Sequence, residues 1–80
     1  MNIKQKIGKR LKVLRNQIAI SQEDLAFRAN LDRTYINSVE NGKRNISIVN
    51  IEKICKALTI SVRDFFDSSS FTDDEKVKNC

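Results

Sequence analysis

The stretch LDRTYINSVENGKRN, residues 31–45, decides how this chain is read. It places two arginines, a threonine, a tyrosine and three asparagines within about four helical turns, and after Leu31 only Ile36 and Val39 are large aliphatic residues. A helix that merely covers a core carries a broader apolar stripe. With Ile36 and Val39 turned inward, the helical period turns Arg33, Thr34, Asn37, Ser38 and Asn41 outward together. Asp32 is the expected N-cap. The run closes at Asn41-Gly42, where Gly42 suits the left-handed position after a helix. Lys43-Arg44-Asn45 then form a basic loop.

Working outward, Ser21-Gln22-Glu23-Asp24 resembles a capping box and opens a short helix with Leu25 and Ala26 inward, ending near Ala29. Asn30 follows, and asparagine tolerates the left-handed backbone of a tight turn. Ile3, Ile7, Leu11, Leu14 and Ile18 recur at steps of three and four, so an amphipathic first helix is predicted over about residues 3–17. Ser47 is predicted to cap a fourth helix with Ile48, Ile51, Ile54, Cys55 and Leu58 inward. Ser61-Val62-Arg63-Asp64 starts a fifth, carrying Val62, Phe65 and Phe66. Ser68-Ser69-Ser70 breaks the pattern. Residues 1–67 are expected to form one domain and 68–80 a polar, mobile tail, although Thr72-Asp73-Asp74-Glu75 is another capping box. Five short helices, the second and third joined by a tight turn, describe an all-α helix-turn-helix domain.

Composition narrows the function classes. The chain has 80 residues, no proline and two glycines, which suits one small helical domain. No apolar run approaches the roughly 20 residues of a bilayer span, and the N-terminus lacks a signal peptide's apolar region, so a cytoplasmic chain is expected. Histidine is absent, removing the commonest general base and the commonest metal ligand. Cys55 and Cys80 have no ligand spacing, and Cys55, among Ile51, Ile54 and Leu58, reads as a buried thiol. No enzyme, cofactor or metal is expected. The net charge is +5 and uneven. Lys4, Lys6, Lys9, Arg10, Lys12 and Arg15 fall in the first twenty residues without an acid, whereas Asp64, Asp67, Asp73, Asp74 and Glu75 fall near the end. Such an arrangement suits a polyanion approached from one side, and equally a solvated helix face.

Residues 22–41 resemble the helix-turn-helix unit of the phage-repressor/Cro-like, or xenobiotic-response-element, family. Gln22-Glu23-Asp24-Leu25-Ala26 is similar to its second-helix signature, and Glu40-Asn41-Gly42-Lys43 to its recognition-helix exit. Leu31-Asp32-Arg33-Thr34-Tyr35-Ile36, followed by Arg44-Asn45, most resembles controller proteins of restriction-modification systems. The resemblance implies a lambda-repressor-like five-helix bundle, with Asn30 standing where the family often has glycine.

A recognition helix reads base edges in the major groove from its N-terminal turns. Arg33 then suits guanine O6 and N7, and Thr34 a thymine methyl. Arg33 also reads as a solvated charge or a partner for Asp32. Asn37 and Ser38 complete the base-reading set, though short polar residues are also ordinary surface. The resemblance places Gln22, Tyr35, Asn41 and Lys43 on the DNA backbone, and controller proteins add Arg44 and Asn45. Tyr35 has a competing reading as a half-buried ring with an exposed hydroxyl. Similarly placed residues imply an Arg15–Glu40 pair that locks the recognition helix to the scaffold. Lys4, Lys6 and Lys9 suit either flanking phosphates or water.

One such domain reads few base pairs, so a homodimer on a pseudo-palindromic operator of double-stranded DNA is expected. Val62, Phe66 and Phe71 exceed what a small core needs, which points to an interface through the fourth and fifth helices, with Phe65 completing the core. The resemblance further implies activation at low occupancy and repression once a second dimer fills an adjacent site. Glu23 and Asp24 suit contact with RNA polymerase, or simply a helix N-terminus. A phage-type repressor or an antitoxin autorepressor shares this fold. A protein-interaction domain without DNA binding should lack both the outward Arg33 and the basic loop.

Overall fold

The computed structural model describes residues 1–72. Five helices follow in order: α1 (Ile3–Gln17), α2 (Gln22–Ala29), α3 (Arg33–Glu40), α4 (Ile48–Leu58) and α5 (Val62–Phe66), then a 3-10 turn at Ser69–Phe71. No strand occurs among the described residues.

Helix starts follow the serines. Ser21, Ser47 and Ser61 each accept, through Oγ, the backbone N–H three residues on, at 2.9, 3.1 and 2.9 Å. The box at Ser21 is only half made, because the Asp24 carboxylate pairs one turn on with Arg28 at 3.1 Å. A complete box opens α1 instead: Asn2 Oδ1 accepts from Gln5 N at 2.9 Å, and Gln5 Oε1 accepts from Asn2 N at 3.0 Å. Asp32 holds the N-cap position of α3 but makes no side-chain cap bond. Its exposed carboxylate stays in water, contrary to the capping role expected of it.

The ends of α1 to α4 share one device. Ala19, Asn30, Gly42 and Thr59 take left-handed backbone at φ 56°, 57°, 71° and 61°. Their N–H groups donate three residues back, and those of Ile20, Leu31, Lys43 and Ile60 donate five back, to Arg15, Ala26, Ser38 and Cys55, at 2.8–3.3 Å. Paired bonds of this kind satisfy the last carbonyls of a helix, and an apolar contact from the second residue usually accompanies them. Ile20, Leu31 and Ile60 pack on the core accordingly. The exit of α3 differs: its second residue is Lys43, and it is exposed.

The core is Leu11, Leu14, Leu25, Ala26, Ala29, Ile36, Val39, Ile51, Ile54, Cys55, Leu58 and Phe65. It is enclosed where α3 rests on α1 and α2, α2 on α4, and α5 on α4 and α1. Burial pushes the Cys55 thiol above its ordinary pKa, with a smaller contribution from the Glu52 carboxylate. Gly8 marks the closest approach: a Cβ there would run into the Val39 carbonyl oxygen and lie 2.8 Å from that of Glu40.

Three expected core positions are surface. Ile3 and Ile18 are 58% and 45% exposed, because the α1 stripe overshoots the body at both ends. Ile48 is 77% exposed, since it is the first residue of α4 and precedes the turn that meets the core. Arg10, counted above in the basic front, instead clamps the end of α5, donating to the carbonyls of Phe65 at 2.7 Å, Asp64 at 2.8 Å and Asp67 at 3.4 Å.

The chain also stays on the body past residue 67. The Phe71 ring meets Phe66 edge-on at 5.0 Å, Phe66 meets Phe65 likewise at 5.0 Å, and the 3-10 turn rests on α1. Residues 68–71 are thus packed, where a tail was expected to begin. The remainder of that tail, including most of the Thr72–Glu75 box and Cys80, lies outside the described residues.

Candidate nucleic-acid interface

Ile36 and Val39 are 0% and 1% exposed, and they fix the rotation of α3 about its axis. Arg33, Thr34, Asn37 and Asn41 consequently face solvent, with Ser38 half-buried. Arg33, Thr34, Asn37 and Ser38 line one groove together with Gln22 from the start of α2. The four residues expected to read bases therefore converge. Arg33 forms no ion pair with Asp32 among the described residues, so its guanidinium is available to a ligand.

The frame behind this groove is an ion pair. Arg15 donates through Nε to Glu40 Oε2 at 2.7 Å and through Nη2 to Oε1 at 3.0 Å, while Nη1 reaches the Ile20 carbonyl at 2.8 Å. The two side chains are 11% and 2% exposed. The hydrogen bond to Glu40 raises the Arg15 pKa further, against the opposing effect of burial. Removing one partner of such a pair typically costs about 3–5 kcal/mol, because it leaves a buried charge uncompensated. Gln22 Nε2 also donates to Glu40 Oε1 at 3.0 Å, so one carboxylate ties together α1, α2 and α3. The amides continue outward: Asn37 Nδ2 donates to Gln22 Oε1 at 3.2 Å, and Asn41 Nδ2 to Asn37 Oδ1 at 3.1 Å.

A second groove adjoins α3, lined by Asn30, Asp32, Thr34, Tyr35, Arg44 and Asn50 among others. The Tyr35 ring is half-buried, and its hydroxyl accepts from Asn50 Nδ2 at 3.0 Å. An accepting hydroxyl keeps its own proton to donate outward. The Arg44 guanidinium lies 4.8 Å over the same ring, which orients a loop cation at a cost in freedom offset by about 0.5–1 kcal/mol of cation–π attraction. Asn50 gave no signal in the sequence, being one polar residue within the apolar period of α4. Lys43, Arg44 and Asn45 are all exposed beyond the Gly42 cap. Ile3, Lys4 and Ile7 of α1 border Arg44 and Asn45, so the first turns of α1 extend the basic surface of the loop. Glu23 is exposed on α2, whereas Asp24 is engaged by Arg28.

On another face, Val62 is 38% exposed beside Ile48 at 77% and Val49 at 59%, the three lining one apolar hollow with Glu52. Phe66 is half-buried between two rings. Ile48 was missed as a surface residue because the apolar stripe of α4 reads through it, and Val49 lies beside that stripe. Among the described residues no cluster of metal-ligating side chains occurs, and no helix is long and apolar enough to cross a membrane.

Proteins of similar sequence share this fold. A helix-turn-helix family model matches residues 11–65. Control protein C.MunI of a Mycoplasma species is 48% identical over 66 residues, which are 81% of this chain and 89% of that protein. The crystal structure of the restriction-modification controller protein C.AhdI from Aeromonas hydrophila matches with a TM-score of 0.77 and 49% identity, over 79% of this chain and 96% of that one. The controller protein C.Esp1396I, solved as a tetramer on its natural 35-base-pair operator, matches with a TM-score of 0.79 and 39% identity, over 84% and 88%. The chain belongs to the helix-turn-helix family, among the controller proteins of restriction-modification systems.

Proposed function

We propose that the protein is a sequence-specific DNA-binding transcriptional regulator of a restriction-modification system, acting as a homodimer on a pseudo-palindromic operator. The observation that carries this is the convergence of Arg33, Thr34, Asn37 and Ser38 on one groove beside an exposed basic loop. In this reading α3 enters the major groove, Arg33 reads guanine, and Thr34, Asn37 and Ser38 complete the base contacts. Gln22, Tyr35, Asn41, Lys43, Arg44 and Asn45 hold the sugar-phosphate backbone, supplying register rather than sequence information. The apolar patch of Ile48, Val49 and Val62 supports a symmetric dimer, with half-buried Phe66, on the same short helix as Val62, as a further interface residue. Two dimers on adjacent sites are supported by the C.Esp1396I tetramer, itself bound to an operator. Glu23 is the side chain best placed to meet RNA polymerase. The working site is the cytoplasm, and the output follows protein concentration and operator occupancy. A phage-type repressor is the second reading, and the likeness to C.MunI and C.AhdI disfavours it.

Arg33→Ala and Lys43→Ala together test the assignment. The first should lose ~1–3 kcal/mol on a selected operator and relax preference at one symmetric base pair. The second should weaken operator and random duplex alike and reduce the salt slope by about one contact. Gel-shift titrations on operator, single-base variant and random duplex measure both. Equal losses on all three from Arg33→Ala would make Arg33 a phosphate clamp.

A further inference from the structure

The buried ion pair is connected to the outer face of α3 by a directed chain of amides. Glu40 Oε1 accepts from Gln22 Nε2 at 3.0 Å, Gln22 Oε1 from Asn37 Nδ2 at 3.2 Å, and Asn37 Oδ1 from Asn41 Nδ2 at 3.1 Å. A carboxylate can only accept hydrogen bonds. The end of Gln22 facing Glu40 must therefore be its NH2 group, which leaves its oxygen toward Asn37. That oxygen in turn requires the NH2 of Asn37, whose own oxygen is left for Asn41. Each amide is oriented by the one before it, starting from a side chain only 2% exposed. A lone surface amide has no such constraint, because its terminal torsion is broad and roughly two-fold. To a base edge the two orientations are opposite signals. A donor suits guanine O6 and N7 or thymine O4; an acceptor suits the amino groups of adenine or cytosine.

We infer that Glu40 is a specificity-positioning residue: acting through Gln22, it fixes the donor and acceptor pattern that Asn37 and Asn41 present, and so the base that Asn37 selects. This rests on the DNA-reading role of α3 proposed above. The role is separable from that of holding helices together. Arg15 holds the carboxylate in place, but the direction of the amide chain comes from the carboxylate.

Three variants distinguish the two roles, each checked for helical content by circular dichroism and then used to select sequences from a randomised DNA duplex library. Glu40→Leu keeps much of the side chain's volume but offers no acceptor. With nothing to accept from Gln22 Nε2, the amide chain loses its direction. Arg15→Lys keeps a cation and the carboxylate, and therefore keeps the direction. Gln22→Leu cuts the chain while leaving the ion pair alone. Wild type and Arg15→Lys should enrich the same sequence, Arg15→Lys more weakly at every position. Glu40→Leu and Gln22→Leu should lose about tenfold preference, or switch base, at the symmetric position read by Asn37, and keep the guanine read by Arg33. If Glu40→Leu does not fold, Gln22→Leu decides by the same comparison. Enrichment of the wild-type sequence, position by position, by Glu40→Leu or Gln22→Leu would overturn the inference while leaving DNA reading intact. A wild-type protein that enriches no sequence would overturn both.

Discussion

Replacing Gly8 with alanine adds one methyl group where α1 crosses the end of α3. The new carbon would overlap the Val39 carbonyl oxygen and lie 2.8 Å from that of Glu40. Both obstacles are backbone atoms, so no side-chain rotation relieves them. Alanine is otherwise preferred to glycine inside a helix by about 0.5–1 kcal/mol, and the sign of the effect depends on which contribution is larger. Carbon–oxygen contacts normally settle near 3.3–3.6 Å, so α1 and α3 must separate by about 1 Å. Overpacking of a tight core costs typically ~1–3 kcal/mol, and a shift of backbone belongs at the upper end. The difference is a net loss of about 2 kcal/mol. At ~4–8 °C per kcal/mol for a domain of this size, Tm should fall by roughly 8–16 °C. Thermal unfolding followed by circular dichroism at fixed protein concentration measures it. The displaced carbonyls belong to the last turn of α3, which carries Asn41 and leads into Lys43. Operator affinity should therefore fall well below the unfolding temperature as well. A Gly8→Ala protein with an unchanged or raised Tm would show that the two helices have room between them, and would refute the reasoning.

Thr59→Gly should raise the urea midpoint by the equivalent of about 1 kcal/mol, because a β-branched residue is held at φ 61°. Ile48→Asp should leave helical content unchanged, since the side chain is already 77% exposed, yet lower the molar mass by light scattering toward that of a monomer; a persistent dimer would place the interface elsewhere. Cys55 should resist iodoacetamide at pH 8 until the protein unfolds, as read by peptide mass spectrometry. The same raised thiol pKa means that the folded state disfavours the thiolate, so stability is intact below the unfolded thiol's pKa and declines as pH rises past it. A denaturation series between pH 7 and 10 showing no decline would remove that linkage.

Much of the fold was legible because its signals are local. Serine caps at 21, 47 and 61 and apolar steps of three and four each act within a turn or two, and they placed the helices. Ile36 and Val39 sufficed to orient α3, and with it Arg33, Thr34 and Asn37. What escaped depended on other parts of the chain. Ala19 and Thr59 end helices in a left-handed conformation that neither residue type advertises. Asp32 makes no cap bond although its residue type is right, and the box at Asn2–Gln5 starts one residue ahead of the stripe. Gly8 matters only because α3 lies across it. Arg10 looked like part of a basic surface until α5 arrived beneath it. Asn50 and the amide chain from Glu40 join residues on different helices, which no spacing along one helix encodes.

The Arg10 clamp also orders events during synthesis. Its acceptors lie 54, 55 and 57 residues further along the chain. At a ribosomal rate of ~5–20 residues per second, Arg10 waits roughly 3–11 s for them. By then the whole of α3 has been made, and the seat offered by Gly8 has long been available. A chain released before Phe65 would carry every residue of the reading face but neither the ring that completes the core nor the carbonyls that hold α1 to α5. Unfinished copies should therefore fall to proteolysis rather than occupy DNA, and a signal carried by the number of molecules would count only completed ones.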